Sequence, residues 1–110
     1  MRREIAQAWV AALESGKYGW CESQLHDGEN GWCCLGVLGD VLGVPRWQLE
    51  HAPSAYLTTD QFNVDPADIP VVKHDEHGLI DESCDQFELA RLNDMSVGFP
   101  IERIREVFLS

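Results

Sequence analysis

The sequence predicts one α+β domain, residues 1–110, in which about four helices pack with a small antiparallel sheet. Apolar residues recur at helical spacing near both ends of the chain, and turn-forming dipeptides interrupt the middle. The length of 110 residues suffices for one hydrophobic core and little more. Because no internal repeat, low-complexity tract or long linker interrupts the chain, a second domain is not expected.

Two helices are predicted in the first half of the chain. An apolar stripe predicts a helix over residues 2–15, and Gly16 follows where a left-handed residue ends many helices. A second, buried helix is predicted over residues 34–42. Since Gly36 and Gly39 each cost helix stability, we expect them to permit a close approach to another element.

Turn signals predict the antiparallel sheet. Residues 18–33 contain Asp-Gly and Asn-Gly and indicate a hairpin or a pair of extended loops. Residues 69–73 and 79–80 are typical of two short strands joined by a turn.

Two further helices are predicted near the carboxyl end. Ser83 and Gln86 have the spacing of a capping box, which predicts a helix that ends at Asn93-Asp94. Pro100 stands at a first-turn position that proline tolerates, so a last helix is predicted to follow it.

The charge is strongly acidic and uneven. The net charge is −11, and residues 60–94 hold 10 acidic and 2 basic side chains. Direct contact with nucleic acid is not expected, because it needs basic surface. The plainer interpretation of this stretch is a solvated, solubilising face, and the functional one is a surface that faces a basic protein partner. The candidate binding carboxylates are Asp75, Glu76, Asp81 and Glu82.

The composition also bears on the compartment. No apolar run approaches the roughly 20 residues that span a membrane, and no apolar stretch follows Arg2 and Arg3 as in a signal peptide. We therefore predict the cytoplasm and no membrane partner. A reducing compartment in turn predicts free thiols at Cys21, Cys33, Cys34 and Cys84.

Three sequence blocks resemble those of a family of small proteins scattered through phage and prophage genomes. They are Trp9-x3-Leu13-x-Ser15-Gly16-x-Tyr18, then Cys33-Cys34-Leu35-Gly36-Val37-Leu38, and finally Leu92-Asn93-Asp94. The resemblance covers both ends and the first half of the chain. It implies a phage or mobile-element origin and a bacterial host cytoplasm, and it brings no reaction, ligand or cofactor with it.

A metal site is not expected. His74 and His77 have workable ligand spacing, but no cysteine pair matches them, and adjacent Cys33 and Cys34 do not form a usual chelate. Members of the resembled family often have a third cysteine at the position of Gly39. Because this chain lacks that cysteine, a fixed three-cysteine metal site is not expected. We predict no metal and no cofactor.

A cysteine nucleophile is an alternative. Cys33 and Cys34 lie at the predicted start of a helix, a position that lowers the pKa of a thiol. His74 or His77 would serve as the base of a small cysteine hydrolase. The plainer interpretation is that both thiols fill space in the core.

Aromatic and polar side chains outside the helical stripes complete the candidate site. Trp20, Trp32 and Trp47 are predicted in loops or at element edges, where aromatic side chains often bind partners. Asn93 and Asp94 lie between two predicted helices, where they either hold a ligand or cap the last helix.

Together these observations favour a binding protein over an enzyme. The leading hypothesis is a phage- or prophage-encoded inhibitor of a host defence component, acting through its acidic surface on a basic nucleic-acid-binding protein. The alternatives are the cysteine hydrolase and a protein that binds a nucleotide signal, for which Arg46 beside Trp47 supplies one cationic group. No oligomeric state is predicted.

Overall fold

The computed structural model, which describes residues 1–96 and 98–110, contains five α-helices and one two-stranded sheet. In chain order the elements are α1 Arg3–Glu14, β1 Gly19–Trp20, β2 Gly31–Trp32, α2 Cys34–Val41, α3 Arg46–Glu50, α4 Asp85–Met95 and α5 Ile101–Phe108. A 3₁₀ turn at Pro66–Asp68 lies in the long irregular segment before α4. Within the described residues, no helix has the length and apolar character needed to cross a bilayer.

The two predicted amino-terminal helices are confirmed. Helix α1 buries Trp9 and Leu13 on its inner face, and Gly16 beyond its end has the left-handed φ of 76°. Helix α2 is buried on all sides over residues 34–39 and forms the centre of the core. The indole nitrogen of Trp9 donates a hydrogen bond of 2.8 Å to the carbonyl of Cys34, which ties α1 to the start of α2.

The glycines of α2 permit the close approach that the sequence predicts. A Cβ atom at Gly36 would overlap the backbone carbonyl of Leu25, which lies against the helix. A Cβ atom at Gly39 would lie 2.8 Å from a terminal methyl group of Leu49. The neighbour of Gly36 is backbone, which cannot move without shifting the segment, whereas the neighbour of Gly39 is the flexible end of a side chain. A larger residue should therefore be tolerated less well at Gly36 than at Gly39.

The predicted antiparallel sheet is wrong, because β1 and β2 pair in parallel with Trp20 opposite Trp32. The turn closes between Asp27 and Gly31, so the segment that it pairs with β2 in antiparallel fashion is His26 and not β1. Asp27 Oδ1 accepts a hydrogen bond from the Gly31 amide, which folds His26 back onto Trp32 in an isolated antiparallel bridge. Residues 21–25 connect β1 to His26. Strand β1 therefore pairs with β2 along the edge opposite His26, and the two strands run in the same direction.

The second predicted strand pair shortens to one antiparallel bridge, between His74 and Ile80. Two backbone hydrogen bonds, from Asp75 to Leu79 and from Asp81 to Lys73, complete a small hairpin. Pairing goes no further because the next carbonyl groups serve α4 instead: Val71 accepts from the backbone of Gln86. Residues 73–82 are called the acidic hairpin below.

Helix α4 does not begin with the predicted capping box. Its N-cap residue is Cys84, without a side-chain hydrogen bond, and the hydroxyl of Ser83 donates to Asp81. Gln86 is fully buried and contacts the loops beneath the helix. The helix also runs through Asn93 to Met95, whereas α5 follows Pro100 as predicted.

Candidate functional site

The residues predicted to bind a partner fall into three separate places. One group anchors the loop before α2 to helix α4, one residue lines a cavity beside α3, and four carboxylates lie on the acidic hairpin. In that order they are Trp20, Trp32, Asn93 and Asp94; then Trp47; then Asp75, Glu76, Asp81 and Glu82.

Asn93 is the centre of the first group. Its side chain is fully buried; Oδ1 accepts a hydrogen bond of 3.0 Å from the Cys34 amide, and Nδ2 donates one of 3.0 Å to the Cys21 carbonyl. The indole of Trp20 donates to the Asn93 carbonyl, and exposed Asp94 accepts from the amide of Ser23. Asn93 therefore caps α2 across the fold, not the last helix, and both polar ends of its side chain are engaged.

Trp32 lies in the core, with 1% of its surface exposed. The ring of His26 stacks on it at a centroid distance of 3.8 Å, Tyr18 packs edge-on at 5.1 Å, and the guanidinium of Arg46 lies 5.4 Å from its centroid. The position of His26 just before a turn did not single it out in the sequence. The aromatic stack has a structural role in fixing the loop before α2.

The two adjacent thiols are both inside the protein. Cys33 is 3% exposed and Cys34 is completely buried, and Cys33 Sγ accepts a hydrogen bond from the Gly36 amide. Burial raises the pKa of the Cys33 thiol to about 12 and the pKa of Cys34 well above its ordinary value. His74 and His77 are exposed on the acidic hairpin. This arrangement gives the cysteine-hydrolase alternative no support.

We expect the burial of these thiols to be visible in their reactivity. Iodoacetamide at pH 7.5 should modify Cys33, Cys34 and Cys84 at least about 100-fold more slowly in the native protein than in guanidinium chloride, because modification requires local opening. Partly exposed Cys21 should react first, though slowly, since burial raises its thiol pKa to about 11. Peptide mass spectrometry over time measures each rate. Rapid native modification of Cys33 or Cys34 would contradict the expectation.

The acidic hairpin combines shaping carboxylates with exposed ones. Asp75 Oδ1 accepts hydrogen bonds of 2.9 Å from the amides of His77 and Leu79, which closes the turn. Hydrogen bonds from Ser83 lower the pKa of the Asp81 carboxyl. The Glu76 side chain, by contrast, is 86% exposed. Two of the four carboxylates therefore build the turn, and the two glutamates extend into solvent.

Leu79 gives the acidic hairpin an apolar centre. Its side chain is 66% exposed at the tip. Together with Ile80 it lines a surface cavity of about 640 Å³ whose other lining residues are Asp75, Asp81 and Glu82. An apolar contact ringed by carboxylates is a surface that a basic protein face with an apolar projection would complement.

Four of the six arginines form salt bridges with carboxylates outside the acidic hairpin. Arg2 pairs with Asp68 at 2.7 Å, and Arg105 pairs with Glu14 at 2.6 Å; Arg103 pairs with Glu88 in the same way. Among the residues that the structure describes, no arginine or lysine forms a salt bridge with a carboxylate of the acidic hairpin. Within the hairpin, Lys73 contributes to the lowered pKa of the Asp81 carboxyl, and His77 Nε2 lies 3.4 Å from a carboxylate oxygen of Glu76.

Trp47 lines a separate cavity of about 340 Å³ and is 63% exposed. The other lining residues are Gln48, His51, Ala52, Pro53, Gln61 and Phe62. Arg46, the cation that the nucleotide alternative needs, does not line it; its guanidinium lies over Trp32 and 4.0 Å from Asp40. This geometry does not provide a phosphate site beside the aromatic ring.

A third cavity, called the foot cavity below, lies where the acidic hairpin leaves the body of the protein. It has a volume of about 350 Å³ and lies between the loop that carries Thr58 and the base of the hairpin at His74. Residues from both segments line it, 16 positions apart in the sequence at these two points. No sequence signal linked them.

Within residues 1–96 and 98–110, no three histidine, cysteine, aspartate or glutamate side chains converge as metal ligands do. A family model described as a domain of unknown function matches residues 1–109. No curated protein and no solved structure matches the chain. The Asn93 anchor and the acidic hairpin both lie inside the matched region.

Proposed function

The chain belongs to this family, DUF8296, and on that premise we propose that it is a non-enzymatic binding protein whose acidic hairpin engages a basic surface of a protein partner. The observation that carries the proposal is the ring of carboxylates around exposed Leu79, none of them in a salt bridge with arginine or lysine of the described chain. Electrostatic attraction speeds the encounter, and Leu79, once the partner covers it, supplies the apolar contact that slows dissociation.

The charge also indicates the kind of partner. A surface that presents several carboxylates on a short turn has the same sign of charge as a run of phosphates, so a groove that normally binds nucleic acid suits it. We propose, from the three sequence blocks and the acidity, a phage or prophage origin and a host cytoplasmic target. A nucleic-acid-binding component of host defence fits this description.

A variant that removes two of the four negative charges of the hairpin tests the proposal. Glu76→Gln with Glu82→Gln should weaken binding to the basic partner about 10-fold, since two exposed charges that contribute up to about 1 kcal/mol each amount to at most about 2 kcal/mol. Wild-type affinity should fall similarly between about 50 and 300 mM NaCl because dissolved ions screen the attraction. Biolayer interferometry of partner purified from bacterial host lysate measures both effects.

The matched control is Glu22→Gln with Glu29→Gln, which makes the same charge change at two exposed glutamates outside the hairpin. Its affinity should stay within about twofold of the wild-type value. Equal losses in both double variants would show that net charge alone is responsible. Binding that ignores salt and the hairpin substitutions would rule out the proposed surface.

A further inference from the structure

The foot cavity contains a buried hydroxyl group that lacks a hydrogen-bond partner. Thr58 is 8% exposed and lines the cavity, and its Oγ1 is the buried side-chain polar atom without a partner in the described part of the chain. Buried polar groups are nearly always paired, so an exception calls for an explanation. A ligand in the cavity that donates a hydrogen bond to this oxygen supplies one.

The walls of the foot cavity are held in place from beneath by Gln86. Its Nε2 donates to the carbonyls of Leu57, at 2.8 Å, and Pro70, at 3.0 Å, while Oε1 accepts from the Leu57 amide at 2.8 Å. Leu57 precedes Thr58, and Pro70 is part of the lining. Helix α4 therefore fixes both sides of the cavity before any ligand arrives, which lowers the entropic cost of binding.

The lining of the foot cavity favours a ligand with a long alkyl chain that ends in a positively charged group. Pro66, Ile69 and Val72 provide apolar walls, and Asp60 places a carboxylate at the same cavity. No arginine or lysine of the described chain is part of the lining, and its other titratable group is His74. A phosphate or carboxylate ligand would meet Asp60 with like charge, whereas an ammonium group would be attracted.

A primary ammonium group also matches the available acceptors. It carries three N–H donors, and the lining offers the hydroxyls of Thr58 and Thr59 together with the carboxylate of Asp60. Thr58 Oγ1 is itself inaccessible to solvent, so its hydrogen bond to a ligand requires the Thr58 side chain to change rotamer. An arginine would present five donors in a flat fork and leave part of them unpaired.

We propose that the foot cavity receives the side chain of a lysine of the basic partner, with the alkyl stem against the apolar walls and the ammonium group between Thr58 and Asp60. This inference rests on the proposed function, because the acidic hairpin that attracts the partner starts at the rim of the same cavity. The hairpin supplies attraction at long range, and the cavity supplies selectivity for lysine over arginine.

An NMR titration tests the cavity without any knowledge of the partner. The probes are Nα-acetyl-lysine-N-methylamide and its norleucine analogue, which has the same stem without the ammonium group. Amide signals of residues 58–60 and 69–74 should shift with the lysine probe, and the norleucine probe should bind at least about 10-fold more weakly. Equal affinity of the two probes would overturn the proposal.

Substitutions at the unpartnered hydroxyl sharpen the test. Thr58→Val keeps the shape and should lower affinity for the lysine probe at least about fivefold, with an unchanged or higher melting temperature because an unsatisfied hydroxyl is removed. Thr58→Ser keeps the hydroxyl and should retain binding. Asp60→Asn should weaken binding as Thr58→Val does. Wild-type affinity in both Thr58→Val and Asp60→Asn would overturn the assignment.

Two further arms separate the possible outcomes. Cadaverine carries the same ammonium chemistry as a free diamine, and binding more than about 10-fold tighter than that of the lysine probe would overturn the lysine assignment in favour of a small-polyamine site. The Glu76→Gln, Glu82→Gln variant should bind the lysine probe within about twofold of wild type. Binding of the partner therefore tests the hairpin proposal, and binding of the lysine probe tests the cavity proposal, so that one can fail without the other.

Discussion

Replacing Gly36 by alanine is expected to lower the free energy of unfolding by at least about 3 kcal/mol and the melting temperature by about 10 °C or more. The added methyl group would overlap the carbonyl of Leu25, which is backbone and is held by the hydrogen bond that Cys33 donates to it. Relief requires α2 to separate from this segment, and α2 is the centre of the core. Thermal and urea denaturation followed by circular dichroism measure the loss.

Gly39→Ala is the matched control, since it makes the same change three positions later in the same helix. The added methyl would meet the terminal methyl of Leu49 at 2.8 Å, and a flexible side chain can move. The strain is offset by a gain of up to about 1 kcal/mol in helix propensity, so stability should change by about 1 kcal/mol or less. Similar losses at Gly36 and Gly39 would show that the backbone contact is not decisive.

Asn93→Ala is the second substitution with a large expected effect, a loss of about 3 kcal/mol in unfolding free energy. It removes the acceptor for the Cys34 amide and the donor to the Cys21 carbonyl, and it leaves a small void in the core. Beyond a lower melting temperature, the Cys34 amide should exchange its hydrogen faster relative to its neighbours. Two-dimensional NMR in deuterated buffer measures that rate.

Asp94→Asn provides the comparison at the adjacent, exposed position. The asparagine keeps an oxygen that accepts from the Ser23 amide, so stability should change by about 0.5 kcal/mol or less. A ligand-holding role for Asn93 predicts a different outcome, namely that Asn93→Ala folds as stably as Asp94→Asn and loses a binding activity instead. The hydrogen bonds favour the structural role.

Part of the candidate site was predictable because it is local. Asp75, Glu76, Asp81 and Glu82 lie within eight positions of one another around a turn signal, so any hairpin there brings them together. The foot cavity was not predictable in this way. It depends on Thr58 facing residues near His74, and a glutamine of α4 holds both segments.

The same division applies to single residues. Gln86 has the sequence spacing of a capping residue, yet its side chain is buried and bridges Leu57 and Pro70. Asn93 was predicted beside a helix end but caps a different helix, 59 residues away in the sequence. In both cases the side chain can hydrogen-bond in several ways, and the packing around it selects one.

By itself, the sequence determined helices α1, α2 and α5, the need for glycine in α2 and the acidity of the central stretch. These features depend on helical periodicity, residue size and charge, all of which are local properties. The tertiary structure decided the parallel pairing of Trp20 with Trp32, the burial of both adjacent thiols and the foot cavity. Each of these arises from contacts between distant segments, whose register depends on how the whole core packs.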